Sequence, residues 1–397
     1  MKKLLTATAA GALITGAAFA QDGGEIKMGV ILGFTGPIES LTPAMAAGAE
    51  MAMQEVTESG KLLGGATVTP VRADSTCVDS AAATAAAERL ITSDGVKAIM
   101  GADCSGVTGA VLANVAVPNG MVMISPAATS PALSEAEDNG LFFRTAPSDA
   151  RQGEVLANIL MEKGIESVAV TYTNNDYGKG FADAFQSAYE NAGGSVTLSA
   201  PHEDGKADYS AEVGALASAG GDALVVLGYV DQGGAGIIQG ALDTGAFDLF
   251  AFGDGMVGDQ LTANFGADLE GSIGTAPGSQ NEGVDTFAEM AQGAGIDGTS
   301  VYAGESYDAA ALMLLAMAAA GSSDPADYAG KIEMVANAPG EPIGPGELDK
   351  ALEILAEGGD IDYGGATGVE LVGPGEAAGS YAEYTIEDGA LKVVGYR

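Results

Sequence analysis

Apolar strand-like runs alternate with helix-like runs through most of this chain, and this alternation constrains the fold more than any other feature. The first series begins with the apolar run IKMGVILGF (26–34), and a helical pattern at 42–60 follows it. A second series starts after FFRTAPSD (142–149) and includes the strand-like runs SVAVTYT (167–173) and ALVVLGY (223–229). Repeated βαβ units with continuous apolar strands form parallel sheets that helices cover on both faces. The sequence therefore predicts two doubly wound α/β lobes.

The first twenty residues are predicted to be an export signal that is removed from the mature chain. Lys2 and Lys3 precede a small, apolar stretch at 4–17, and Ala18-Phe19-Ala20 fits a signal-peptidase site. The apolar stretch is short for a membrane span. We expect cleavage after Ala20 and a mature chain in the periplasm. Its 377 residues, 397 less 20, exceed what one ordinary core accommodates, which agrees with two domains.

The chain is strongly acidic, which restricts its partners. Its formal net charge of −38 becomes −40 when Lys2 and Lys3 are removed with the leader. Nucleic acids and anionic membrane surfaces would repel such a protein. We therefore expect neither as a partner, and we interpret the charge as a solvated acidic surface.

The two cysteines, Cys77 and Cys104, are predicted to form one disulfide because the chain is exported. The bond would close a loop of 26 intervening residues and contribute about 3–4 kcal/mol in the chain-entropy model. Two cysteines and the single histidine, His202, fall short of the four ligands that zinc prefers. We expect no metal and no cofactor.

Small and hydroxyl-bearing residues follow two strands of the first series. DCSGVTG comes after the strand at 96–102 and places Ser105 at a predicted helix start, while PAATS comes after the strand at 120–125 and includes Thr129. Ligands of open α/β sheets bind beyond the carboxyl ends of the strands. Exposed backbone groups and hydroxyls at this edge predict a neutral cradle for a carboxylate.

The second series has matching loops with a different chemistry. They carry Tyr177, Tyr229 and Asp254, each directly after a predicted strand or at the helix start that follows it. A carboxylate buried between two lobes would neutralise an ammonium group, and the tyrosine rings would pack around it. Together the two sets of loops predict a site for a small zwitterion.

The chain resembles the type I periplasmic solute-binding proteins of ABC importers, and within them the leucine/isoleucine/valine-binding family. The resemblance extends from IKMGVILGFTGP to ALKVVGY. Its most specific segments are GADCSGVTGAVLANVAVPNGMVMISPAATSPAL, FFRTAPSDARQG and NNDYGKGFADAF. It implies two lobes joined by a three-crossover hinge, with the ligand enclosed in the cleft by hinge closure. It also implies delivery to an ABC permease by what we expect to be a monomer.

The resemblance assigns roles to single residues. Ser105, Ala127 and Thr129 would hold the α-carboxylate of the ligand, Ala127 through its backbone. Tyr177, Tyr229 and Asp254 would come from the second lobe, with Asp254 facing the α-ammonium. Relatives often have Glu in a Gly-Pro-Glu-like turn near this last position, whereas this chain has Asp254 between Gly253 and Gly255.

The same resemblance divides the chain and marks one departure. The N-terminal lobe would comprise 21–147 and 277–368, and the C-terminal lobe 148–276 and 369–397. Leucine and valine binders tend to have an aromatic residue after TGP that packs on the ligand, whereas Leu41 is nearest that position here. Asp103 and Glu39 add negative charge near the cleft. The side chain of the ligand, and whether it is an α-amino acid at all, therefore stay open.

Two enzyme hypotheses and one sensory hypothesis compete with transport. GGAGIIQG (233–240) resembles a dinucleotide fingerprint, but its last glycine is one place late and no clear acidic residue ends a following strand at the right distance. A hydrolase would need His202 in the cleft, and we predict that this residue lies on an exposed loop; no GxSxG elbow is present. A sensory binding protein would use the same fold, and the sequence does not separate it from an importer component.

Overall fold

The computed structural model describes residues 23–397, so the predicted export signal and its cleavage site lie outside the described residues. The first lobe begins with alternating strands and helices, as predicted. Its elements are β1 Glu25–Leu32, α1 Thr42–Ser59, β2 Thr67–Asp74, α2 Ser80–Arg89, β3 Ala98–Gly101, α3 Ser105–Val111, α4 Val117–Asn119, β4 Met123–Ser125 and β5 Phe142–Arg144. These strands are parallel in the order β5-β4-β3-β1-β2, so the order reverses between β3 and β1.

The second lobe repeats this arrangement. Its elements are α5 Asp149–Glu162, β6 Ser167–Thr173, α6 Asp176–Asn191, β7 Ser195–His202, α7 Ser210–Ala219, β8 Ala223–Leu227, α8 Gly233–Thr244, β9 Phe250–Phe252, α9 Asp259–Phe265 and β10 Ile273–Pro277. The parallel strands follow the order β10-β9-β8-β6-β7, with the reversal between β8 and β6. The prediction of two doubly wound α/β lobes is confirmed.

The remaining chain returns to the first lobe and then crosses to the second. Its elements are α10 Glu282–Gly293, α11 Ala303–Ala320, α12 Pro325–Tyr328, α13 Ile332–Ala336, β11 Glu341–Ile343, α14 Leu348–Ala356, β12 Ile361–Tyr363, β13 Leu371–Val372, β14 Glu376–Ala377, β15 Tyr381–Glu387 and β16 Ala390–Tyr396. The three crossovers between the sheets lie at 145–148, 278–281 and 378–380.

The predicted boundary at 369 is wrong, because β13 and β14 belong to the first sheet. β14 pairs with β5 through Glu376 and Arg144, and β13 pairs with β14. The third crossover therefore follows Ala377. These two strands have only two residues each around a glycine turn, so no alternation of apolar and polar residues marks them in the sequence.

The apolar run from Ala309 to Ala320 predicts a buried core helix, and helix α11, which contains it, forms the centre of the first lobe. Most of its residues are buried, and it packs closely against α1. Gly48 of α1 permits this approach, because a Cβ there would lie 2.3 Å from the carbonyl oxygen of Ala303. The alanine-rich segment 299–320 predicts one long helix, but the helix begins only at Ala303, since Tyr302 adopts a left-handed conformation with φ of 68°.

The predicted disulfide is present. Cys77 and Cys104 are bonded, and both are buried. The bond joins the chain after β2 to the chain after β3, so it fastens two loops at the carboxyl edge of the first sheet. Among residues 23–397, no single helix is long and apolar enough to cross a membrane; one pair, Ala303–Ala320 with Pro325–Ala336, meets that test only as two pieces bent by 89°.

His202 does not lie on an exposed loop, so that prediction is wrong. It is the last residue of β7, and its side chain is buried with Nδ1 2.8 Å from Thr171 Oγ1. Within the described chain, Nε2 has no hydrogen-bond partner. Burial lowers the pKa of His202 to about 4, against a smaller raising effect of Glu212. The imidazole is therefore neutral at pH 7.

We predict that His202 makes the protein sensitive to mild acid. In the unfolded chain His202 takes up a proton near pH 6.5, and in the folded protein it does so only near pH 4. The free energy of unfolding therefore decreases as the pH is lowered from 6.5 to 4. Relative to His202→Gln, the wild type should lose about 3 kcal/mol of unfolding free energy between pH 7 and pH 4. Urea denaturation of both proteins over this range measures the difference. Parallel pH curves would contradict the prediction.

Candidate functional site

A small cavity lies between the lobes, where loops from the carboxyl edges of both sheets meet. Its volume is about 20 Å³, about the space that one water molecule needs. Its walls consist of Ile38, Leu41, Asp103, Cys104, Ser105, Ala127, Tyr177, Tyr229, Asp254, Gly255 and Tyr302. Such a position, beside the reversal of strand order, is where open α/β sheets bind ligands.

The structure brings the predicted residues together. Seven of the eight candidates, including the secondary candidates Leu41 and Asp103, line this cavity. The eighth, Thr129, is fully buried but is not part of the lining, and its hydroxyl has no hydrogen-bond partner among residues 23–397. Parallel strands explain the convergence, because each candidate follows a strand whose carboxyl end lies at the same edge.

The first-lobe wall consists of two loops that bond to each other. Ser105 begins α3, and its Oγ accepts a hydrogen bond of 3.1 Å from the backbone N–H of Ser130. Ser125 Oγ donates to Ala102 O at 2.5 Å and accepts from Ala128 N at 2.9 Å. These bonds hold the segment with Ala127 against the start of α3, so that backbone groups and small side chains face the cavity.

Asp103 lines the cavity, but its carboxylate is used in hydrogen bonds that hold the first-lobe loops together. Its carboxylate accepts hydrogen bonds from the backbone N–H groups of Gly33, at 2.7 Å, and Cys104, at 3.0 Å, and from the Ser75 hydroxyl at 3.2 Å. Burial raises its pKa and these bonds oppose the rise. Glu39 is exposed and outside the lining. Ile38 and Leu41 provide the apolar part of the first-lobe wall.

The second-lobe wall is built around Asp254. The Tyr177 hydroxyl donates to Asp254 Oδ1 at 2.9 Å and accepts from the Gly255 N–H at 3.2 Å. The Tyr229 ring stacks on Tyr177 with centroids 5.3 Å apart, and Asn175 Nδ2 donates to the Tyr229 hydroxyl. The tyrosines therefore fix the orientation of the carboxylate.

Tyr302 is a cavity residue that sequence reasoning missed. Its hydroxyl donates a short hydrogen bond to Asp254 Oδ2, and it comes from the first lobe. The bond therefore joins the two lobes across the cavity. The helical pattern placed Tyr302 inside the predicted helix at 299–320, and nothing local in the sequence announces its left-handed backbone.

Asp149 is a second missed residue and lies behind the cavity. It is the first residue of α5, completely buried, and neither of its carboxylate oxygens has a hydrogen-bond partner within the described part of the chain. Burial, and then the charge of Asp254, raise the pKa of Asp149 well above its ordinary value. The APSD motif was the available signal, since it places an acid directly after the first crossover.

The electrostatics of the site favour a positive group. Burial raises the pKa of Asp254, although hydrogen bonds from Tyr302 and Tyr177 lower it. No lysine, arginine or histidine lines the cavity in the described structure. A buried carboxylate without a cation is costly unless it is protonated or paired. A ligand ammonium would supply that partner. Among residues 23–397, no three His, Cys, Asp or Glu side chains are grouped to hold a metal ion.

Further bonds close the cleft outside the cavity. Asp231, after β8, donates its N–H to Pro37 O at 3.1 Å, and its carboxylate accepts from Ser40 N at 2.8 Å. Ser130 Oγ donates to Asp176 O at 3.0 Å. Each pair joins the first lobe to the second, so the described conformation is a closed one.

The glycines that resemble a dinucleotide fingerprint have a packing role. They lie in the first turns of α8, and none lines the cavity. A Cβ at Gly234 would lie 2.2 Å from Met256 Sδ, and one at Gly236 would lie 2.4 Å from the Tyr209 ring. The glycines thus allow α8 to approach its neighbours. His202 is likewise outside the cavity lining.

Comparison with known proteins agrees with this architecture. The family model described as "Periplasmic binding protein" matches residues 25–351. The chain belongs to this family. A relative in Brucella melitensis, named Leu/Ile/Val-binding protein homolog 3, is 32% identical over 282 residues, which are 69% of this chain and 72% of the relative. Members of the family bind solutes rather than catalyse reactions, so neither enzyme hypothesis holds.

Two further comparisons extend over nearly the whole chain. The crystal structure of the leucine-binding protein LivK from Thermotoga maritima has a TM-score of 0.78 at 23% identity, covering 94% of this chain and 98% of that one. The Halobacterium salinarum protein named chemotactic signal transduction system substrate-binding protein BasB is 27% identical over 390 residues, 93% of this chain and 89% of its own. The predicted type I periplasmic binding fold is confirmed.

We predict that Tyr302→Phe loosens the closed form. It removes a hydrogen bond from a phenol to a buried carboxylate across the lobes, a type of bond worth about 1.5–3 kcal/mol. The ratio of closed to open ligand-free protein should therefore fall about tenfold or more. Energy transfer between dyes on the two lobes measures this ratio. The matched control is Tyr328→Phe, which removes a bond to Lys97 O within the first lobe. Equal closure of Tyr302→Phe and wild type would contradict the prediction.

Proposed function

We propose that this protein captures a small amino acid in the cleft and delivers it to the permease of an ABC importer. The observation that carries the proposal is the buried Asp254, held by two phenols at the wall of the interlobe cavity, which has no lining cation in residues 23–397. Relatives named for leucine, isoleucine and valine binding support an α-amino acid as the ligand.

The ligand ammonium faces Asp254 in this proposal. An ammonium beside a buried carboxylate forms charge-assisted hydrogen bonds in a low-dielectric site, where such bonds are strong. Asp149 is a second buried acid near Asp254, and because burial and the charge of Asp254 raise its pKa, it favours the neutral form and leaves Asp254 as the carboxylate that pairs with the ammonium. Tyr177 and Tyr302 orient the carboxylate, and Tyr229 supports Tyr177 by stacking.

The α-carboxylate of the ligand lies against the first-lobe loops. Ser105 contributes its hydroxyl and Ala127 its backbone at the cavity wall. Thr129 lies outside the lining, and its buried hydroxyl has no hydrogen-bond partner among the described residues, although it lowers the pKa of Asp149; in this proposal the loop shifts so that the hydroxyl reaches the ligand carboxylate. This division places opposite charges of a zwitterion on opposite lobes, so the ligand itself connects them.

The ligand side chain lies against the apolar part of the wall, and the lobes separate slightly to admit it, because the cavity volume is only about 20 Å³. Ile38 and Leu41 form this part, and Leu41 stands where leucine and valine binders tend to have an aromatic residue. Aliphatic groups of both protein and ligand leave water together when the cleft closes. A small aliphatic side chain fits this wall better than a charged one.

Hinge closure couples binding to delivery. The ligand stabilises the closed form only through contacts that the open form lacks, here those to both lobes. The hydrogen bonds that Asp231 and Tyr302 make across the cleft further stabilise the closed form relative to the open form. The leader at 1–20 exports the chain to the periplasm in this proposal, where it acts as a monomer and docks in its closed form on the permease.

A sensory role is the second candidate. The relative BasB, similar over nearly the whole chain, is named for chemotactic signal transduction. The binding site would be the same and only the membrane partner would differ. Affinity purification with cross-linking separates the two: recovery of permease subunits supports import, and recovery of a transducer supports sensing.

We predict that the wild type binds leucine and that Asp254→Asn weakens this binding at least about a hundredfold. The variant removes the charge that pairs with a buried ammonium, a loss of about 3 kcal/mol or more. Isothermal titration against a panel of amino acids measures both proteins. The control is Asp204→Asn, which changes a half-buried second-lobe carboxyl outside the cavity. Equal leucine affinity in Asp254→Asn and wild type would exclude the ammonium role, and no binding by wild type to any amino acid would refute the function.

We also predict that leucine binding weakens in acid. The pKa of Asp254 is raised in the ligand-free protein, so a proton competes with the ammonium for the carboxylate as pH falls. The dissociation constant of the wild type should therefore increase from pH 7 to pH 4, while that of Asp254→Asn changes much less. Titration at constant ionic strength tests this, and identical pH profiles for the two proteins would count against it.

A further inference from the structure

Arg144, from the FFRTAPSD motif, is a buried cation that the proposed binding mechanism does not use. It is the last residue of β5, it is almost completely inaccessible to solvent, and it lies outside the cavity lining. Burying a guanidinium is costly unless its donors are satisfied. The groups that accept hydrogen bonds from Arg144 therefore indicate which segments it holds in place.

The guanidinium of Arg144 holds the backbone of the ligand-binding loop. Nη1 donates to Ala128 O at 3.1 Å and to Ser130 O at 3.0 Å, the two carbonyls on either side of Thr129. The carbonyl of Thr129 itself accepts from the N–H of Asp149 at 2.9 Å. Three consecutive carbonyls are thus fixed by the segment that contains the first crossover.

Glu376 holds Arg144 in turn. The carboxylate of Glu376 accepts from Arg144 Nη2 and, at 2.6 Å, from Ser134 Oγ, while the Arg144 N–H donates to Gly375 O at 3.0 Å. Glu376 belongs to β14, which directly precedes the third crossover. The loop at 127–130 is therefore linked to two of the three crossovers.

We propose that Arg144 and Glu376 are positioning residues for ligand binding. They set the conformation of loop 127–130, which contacts the ligand carboxylate, without touching the ligand themselves. The planar fork of arginine suits this task, because it reaches two carbonyls and a carboxylate at once, which the single ammonium of lysine does not match. This inference rests on the proposed function for its binding readout, and it has a second readout that does not.

The first experiment compares two ligands in two variants. Arg144→Lys and Glu376→Gln should weaken leucine binding about tenfold or more, comparable to losing one charge-assisted hydrogen bond. Binding of leucinamide, which lacks the carboxylate, should change less than about twofold. If Arg144 and Glu376 served only the overall stability of the fold, the variants would have lower melting temperatures, but leucine binding would not weaken more than leucinamide binding. The matched control, Glu50→Gln, breaks the Arg72–Glu50 ion pair elsewhere in the first lobe and should leave both affinities unchanged.

The second experiment measures hydrogen exchange of the ligand-free proteins. Amides at 127–130 should exchange faster in Glu376→Gln than in wild type, whereas those of β6 should not. Unchanged exchange in this loop, or equal losses for leucine and leucinamide, would overturn the inference. If wild type binds no amino acid, the proposed function fails, and the exchange result still decides the positioning role. If Arg144→Lys does not fold, Glu376→Gln carries both tests.

Discussion

The site depends on a carboxylate that is buried without a cationic partner in the described structure. Asp254 accepts hydrogen bonds from one phenol of each lobe, and Asp149 lies behind it with its own oxygens unpaired. Two acids in one dry region raise each other's proton affinity and favour any positive group that enters. In the function proposed above, a ligand supplies the missing charge, and the cost of burying Asp254 becomes selectivity for that ligand.

The topology brings this chemistry together from distant segments. In each lobe the order of strands reverses beside the cleft, between β3 and β1 and between β8 and β6, and the loops that leave these edges form the cavity. The disulfide and Asp103 fasten the first-lobe loops, while stacked tyrosines fasten those of the second. In the proposed mechanism, hinge closure brings these two walls together into a complete site, and opening separates them.

Much of the fold and site could be predicted because the relevant signals are local. Buried parallel strands are apolar runs, and a loop after such a run lies at the binding edge; Ser105, Tyr177 and Asp254 were found in this way. Tyr302 and Asp149 were missed because their importance comes from neighbours far along the chain. His202 was misjudged because a single polar residue at a strand end gives no indication of burial. The strands β13 and β14 were missed because two-residue strands carry no periodicity.

The sequence by itself determined the two α/β lobes, the disulfide and the chemical character of each loop, since periodicity, cysteine usage and residue type are properties of short segments. Only the tertiary structure decided the interlobe bond from Tyr302 to Asp254, the buried pair of acids, and the hold of Arg144 on the loop around Thr129. The physical reason is that burial and hydrogen-bond partners depend on packing between segments that are hundreds of residues apart in places, as for Arg144 and Glu376.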